Sequence, residues 1–173
     1  MRKRSVILAI SAVIVVLTAV LLFAHTANKD PQTAEAAEIA LREANPNLIL
    51  WPALRAESSD VFAVLFYSED RSSYKCYYYT KNQPLADFSF RGGRSNHLPL
   101  EGIVCFGSPD YDNEVFLSTN LQGICSISID DGNTVTLQEI DPNQPFLFIF
   151  PKNYEIIFLN AEGEIINPDH LTM

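Results

Sequence analysis

Residues Ser5 to Ala24 form a run of twenty without a single charge, SVILAISAVIVVLTAVLLFA. As a helix at ~1.5 Å per residue it would extend roughly 30 Å, about the thickness of a bilayer's hydrocarbon core. Only Ser5, Ser11 and Thr18 interrupt the apolar sequence, and their hydroxyls can bond back to helix carbonyls. Arg2, Lys3 and Arg4 precede it, while only Lys29 follows closely. That cation bias predicts a cytoplasmic segment 1–4, a transmembrane signal-anchor over 5–27 and an extracytoplasmic domain over 31–173. A cleaved signal peptide is the competing reading, but it calls for an apolar region of about 7–15 residues and a small-x-small cleavage site. Here Ala24 and Ala27 are three apart.

The part after the anchor is long enough for one domain with its own core. Its charge narrows the partners. The whole chain has 12 Lys and Arg against 21 Asp and Glu; removing Arg2, Lys3 and Arg4 leaves 9 against 21, a net of −12. A nucleic-acid binder needs the opposite sign to displace counterions from phosphates, so nucleic acid is excluded as a partner. An anionic membrane surface is repelled as well. Three cysteines, Cys76, Cys105 and Cys125, leave at least one thiol unpaired in a monomer. Cys105 and Cys125 lie in apolar runs and read as small buried side chains, with a bridge between them left open. No CxxC pair occurs, so a zinc or redox site has no support, and no cofactor or metal is expected.

Asp30-Pro31 supplies a helix start, with Asp as cap and Pro at the first position. Ala37, Ala40, Leu41 and Ala44 share one face, and Asn45-Pro46 ends the helix. Strand signals then dominate: Leu48 to Leu54, the continuous run Val61 to Tyr67, and Tyr74 to Thr80. A short strand is predicted over Leu85 to Phe90, with Arg91 to Asn96 as a loop. Further strands are predicted over Gly102–Phe106, Val115–Thr119, Ile124–Ile129 and Phe146–Phe150. Asp131-Gly132 between two alternating segments predicts a hairpin, and Asn160 to Gly163 predicts a second. The fold class expected is α+β: an N-terminal transmembrane helix, one short helix, and a mainly antiparallel β domain arranged as a sheet or sandwich. The order of a helix followed by three antiparallel strands, over about 50 residues, resembles that of PepSY-like and cystatin-like units. It involves no diagnostic motif and implies no activity.

Few residues suggest chemistry. Ser72-Ser73-Tyr74-Lys75 matches S-x-x-K, yet the nucleophile of that pattern opens a helix and is followed by S-D-N and K-T-G elements, neither of which occurs. His97 stands alone in a loop. Asp110, Asp112, Asn113 and Glu114, and Asp130, Asp131 and Asn133, are oxygen-rich but lack calcium-loop spacing and read as solvated turns. The aromatic strand is the most suggestive feature. Period two puts Tyr74, Cys76, Tyr78 and Thr80 on one face and Lys75, Tyr77, Tyr79 and Lys81 on the other. With the cysteine face buried, Tyr77 and Tyr79 framed by Lys75 and Lys81 form an at least partly exposed platform for a protein or glycan partner. The function expected is a non-catalytic interaction or sensor module anchored in the membrane. The alternative is a cell-surface hydrolase whose acid–base pair comes from carboxylates in residues 108–114 and 130–133.

Overall fold

A computed structural model describes residues 30–81, 88–96, 102–107 and 109–172. The expected signal-anchor, the segment 82–87 and His97 lie outside the described residues. Among the described residues no helix is long and apolar enough to cross a membrane.

Helix α1 spans Ala34–Ala44. Its cap is Thr33, whose Oγ1 accepts the Ala36 N–H, and not Asp30 as expected. Ala34, Ala37 and Leu41 turn inward, whereas Ala40 and Ala44 of the expected face are exposed. The helix ends at Asn45, Pro46–Leu48 forms one 3₁₀ turn, and the strand expected over Leu48 to Leu54 begins only at Ala53. Leu48 is fully buried there. Arg42 ties helix, turn and sheet together. Its guanidinium pairs with Glu38, donates to the carbonyls of Leu48 and Ile49, and lies 5.0 Å from the Phe66 ring centroid.

Among the described residues the strands form three four-stranded sheets. The first has the order β1-β2-β3-β4, with β1 at Ala53–Glu57, β2 at Val61–Tyr67, β3 at Tyr74–Lys81 and β4 at Phe88–Asn96. The second runs β12-β5-β6-β9, from Pro168–Thr172, Ile103–Gly107, Asn113–Ser118 and Phe146–Pro151. The third runs β11-β10-β7-β8, from Ile165–Ile166, Glu155–Asn160, Ile124–Asp130 and Val135–Glu139. Among the described residues all ladders are antiparallel except that of β12 with β5. The expected α+β class with a mainly antiparallel sheet arrangement is what the domain shows.

The layers follow from which faces are apolar. Strand β2 is buried on both sides, as its unbroken VFAVLFY run predicts. Phe62, Val64 and Phe66 meet Ala34, Ala37 and Leu48, while Val61, Ala63 and Leu65 meet Val104, Phe106, Val115 and Leu117 of the second sheet. The second sheet is apolar on its far side too: Ile103, Cys105, Phe116 and Phe146 pack on Ile124, Ile127 and Phe158 of the third. The order is therefore helix, sheet, sheet, sheet, with three apolar seams.

Both predicted hairpins form. Gly132 and Gly163 hold φ of +85° and +79°, the left-handed conformation that glycine enters without a Cβ clash. The segment Arg91–Asn96 is strand and not loop. Its ladder opposes Gly92 and Gly93 to Tyr78 and Tyr77, with a register shift beside Tyr79. Glycines that resemble a turn are here the irregular stretch of an edge strand.

Candidate functional site

The tyrosine strand can be placed first. Cys76 is buried as expected, together with Tyr74 and Tyr78 in the seam between the first two sheets. The other face departs from expectation. Tyr77 is half-buried, but Tyr79 is only 4% exposed. Tyr79 stacks on Phe62 at 4.5 Å between centroids, and Phe90 meets it edge-on at 5.4 Å. Tyr77 meets Phe66 at 6.0 Å and Phe90 at 6.4 Å. Lys75 and Lys81 occupy the two ends of the strand, and Lys81 Nζ donates to the Ser59 carbonyl at 3.3 Å. The physical reason is the aromatic neighbours: Phe62 of β2 and Phe90 of β4 close over the Tyr79 ring, whereas the neighbours of Tyr77 stand farther off and leave its ring partly open.

Of the carboxylates in the alternative hydrolase reading, those of Asp130 and Asp131 are engaged in their own turn. Asp131 Oδ1 accepts the Asn133 and Thr134 N–H groups, which hold its carboxyl below the usual value, and Asp130 Oδ1 accepts from Gly132. Asp112 and Asn113 meet Asp60: the Asp112 N–H and the Asn113 amide both donate to its carboxylate, joining the β1–β2 turn to the start of β6. Glu114 Oε2 accepts from the Cys105 thiol at 3.6 Å. In the S-x-x-K segment, Ser72 lies in the turn before β3 and donates both N–H and hydroxyl to Asp70. With the Ser68 hydroxyl as the largest contributor, these bonds lower Asp70 to about 2. Ser72 therefore does not begin a helix, which the nucleophile pattern requires. Among the described residues no group of three or more His, Cys, Asp or Glu is placed to hold a metal ion.

All three thiols are free. Burial pushes Cys76 well above its ordinary pKa; Cys105 is pushed up by burial first and then by Glu114. Thiolates are the reactive species, so these two are inert while the fold holds. Cys125 is half-buried. Titration of the native protein with a disulfide reagent should modify Cys125 first, and the other two only when denaturant is added. Rapid native modification of Cys76 or Cys105 would show that the seams open easily.

The third sheet holds what sequence reasoning missed. Its inner face packs in the core, but its outer face has no layer over it among the described residues. Cross-strand register aligns Leu137, Ser128 and Ile157 in one row, and Glu139, Ser126, Leu159 and Ile165 in the next. Val135 and Leu137 are 68% and 65% exposed, and every residue of β8 is exposed. β8 is also the sheet's edge. The available signal was the unprotected apolar alternation of Val135 and Leu137. The chain matches no family model, no curated protein and no solved structure.

Proposed function

We propose that the protein is a single-pass, membrane-anchored interaction module, with residues 5–27 in the bilayer, the N-terminus in the cytoplasm and residues 31–173 outside. The anchoring rests on the charge-free run Ser5–Ala24 with three cations before it. The interaction role rests on one observation: the outer face of the third sheet presents Val135, Leu137 and Ile165 to solvent. Val135 and Leu137 stand side by side on the edge strand, and apolar surface left exposed on a domain with filled seams marks a contact surface. The anchored protein should remain in the membrane pellet after carbonate washing. Protease added outside the cell should remove the part after residue 30. Recovery of a soluble mature form beginning near Ala27 or Asn28 would sink the anchor.

A further inference from the structure

The five other sheet edges carry guards against adding a strand. β1 follows Pro52 and carries Arg55, which lies 3.5 Å from Glu38; β4 carries Arg91; β9 ends in Pro151; β11 has two residues; and β12 opens with Pro168-Asp169. Proline, cations and short length are the usual means of blunting an edge. β8, Val135-Thr136-Leu137-Gln138-Glu139, has no proline, no cation and no glycine, and its Val135 and Thr136 are β-branched residues that favour the extended form.

Its hydrogen-bond phase is fixed by the ladder with β7. The Ile140 N–H donates to the Cys125 carbonyl at 2.8 Å, and the Asp131 N–H to the Thr134 carbonyl at 3.2 Å. In the antiparallel register these are bonded pairs, so Thr134, Thr136, Gln138 and Ile140 turn their backbone groups toward β7. Val135, Leu137 and Glu139 turn theirs to the open edge. The same three residues project side chains from the outer face. The edge therefore offers a backbone ladder and, beside it, two apolar side chains ending in a carboxylate.

The surroundings set the sign of the partner. Residues 124–166 hold Asp130, Asp131, Glu139, Asp141, Glu155, Glu162 and Glu164 against Lys152 alone. A second copy would bring a second acidic sheet against the first, and an anionic bilayer would be repelled in the same way. Complementary charge steers partners to such a surface and selects among them.

We infer that β8 is a strand-addition site for an extended segment of another polypeptide, with alternate apolar residues flanked by Lys or Arg. The segment pairs with the outward backbone of Val135, Leu137 and Glu139, lays its apolar residues beside Val135 and Leu137, and places its cations by Glu139 and Asp131. This mode draws affinity from main-chain bonds and specificity from alternate side chains. It deepens the interaction reading above and does not depend on the anchor.

The test uses the full chain in neutral-lipid nanodiscs and two synthetic peptides, KKVTVTVKK and EEVTVTVEE. The cationic peptide should bind at least tenfold more tightly than the anionic one, and more weakly as salt screens the acids. On binding, amide exchange at Val135, Leu137 and Glu139 should slow at least tenfold, while Thr136 and Gln138 change little. Leu137→Pro removes one outward N–H and should abolish binding. Glu139→Lys leaves the backbone intact and should narrow the preference between peptides about threefold, so the proposal stays testable if the proline variant misfolds. Equal affinity for both peptides, no binding by either, or self-association of the chain through β8 would overturn the proposal. Cationic-peptide binding with protection at other amides would also overturn it, while leaving the broader interaction reading in place.

Discussion

Replacing Asn120 by Ala should lower the folding free energy by about 3–5 kcal/mol, from orphaned buried groups at ~1–3 kcal/mol each plus backbone strain. Asn120 is 1% exposed and stands between β6 of the second sheet and β7 of the third. Its Oδ1 accepts the Ile124 N–H at 2.8 Å; its Nδ2 donates to the carbonyls of Ile124 at 3.0 Å and Asp141 at 3.1 Å. One side chain thus closes the turn that carries the chain from one sheet to the next, and it also holds the segment following β8. Alanine supplies none of these bonds. The backbone adds to the effect. Asn120 has φ of +56°, a conformation Asn tolerates and Ala resists. Asn120→Gly separates the two causes: it relieves the strain yet leaves the same groups unpaired, so it should be less damaging than Ala by about 1 kcal/mol. Urea unfolding followed by the fluorescence of Trp51, the chain's one tryptophan, measures both. Because Trp51 packs in the helix–sheet seam, a shift in its transition also tests whether the three seams unfold together. Equal stability of Asn120→Ala and the parent would mean that the turn is held by something other than this amide.

Much of the layering was written in the sequence as unbroken apolar runs. VFAVLFY gave β2 correctly as a strand covered on both faces, and IVCF and VFLS carry the same message for β5 and β6. Two such regions in different sheets force at least three layers above a helix, a step beyond the sheet or sandwich expected. The hairpins at Gly132 and Gly163 were legible because positive φ has a residue signature. What stayed hidden depends on distant partners. β12 joins the second sheet by a parallel ladder to β5, more than 60 residues earlier, and nothing local in Pro168–Thr172 announces it. β4 was masked by Gly92-Gly93, whose strand state depends on pairing with β3. The helix cap moved from Asp30 to Thr33 because both residues can cap, and the tertiary seat of Ala34 and Ala37 selects the later start. For the candidate site, alternation correctly assigned Cys76 to the core. It had no means of showing that the opposite face is also covered, since a strand reports its period and not the number of layers upon it.

Tyr79→Ala should therefore act as a core substitution, costing ~3–5 kcal/mol, in the range of large-to-small aromatic changes. For a domain of this size that corresponds to a drop of roughly 10–15 °C in Tm. The contacts carry the argument. Tyr79 lies nearly parallel to Phe62, with 18° between ring planes, and Phe88 tilts against the same Phe62 ring at 4.9 Å. Removing the Tyr79 ring opens a void between β2, β3 and β4, and the packed rings of Phe62 and Phe90 cannot collapse into it. Tyr77→Ala should be milder, about 1–2 kcal/mol, because its ring is only partly removed from water and its two aromatic neighbours stand 6.0 and 6.4 Å away. The two single variants thus predict a wide gap in melting temperature from residues two apart on the same strand face. Capture of a protein or glycan partner by Tyr77→Ala, measured beside its Tm, decides what remains of the tyrosine platform. Lost capture at nearly unchanged Tm would make Tyr77, with Lys75 and Lys81, a contact surface at the margin of the helix. Unchanged capture would leave the tyrosines to the seam they fill. A Tyr79→Ala variant as stable as the parent would mean that Phe62 and Phe90 do not seal this face, and would restore both tyrosines to solvent.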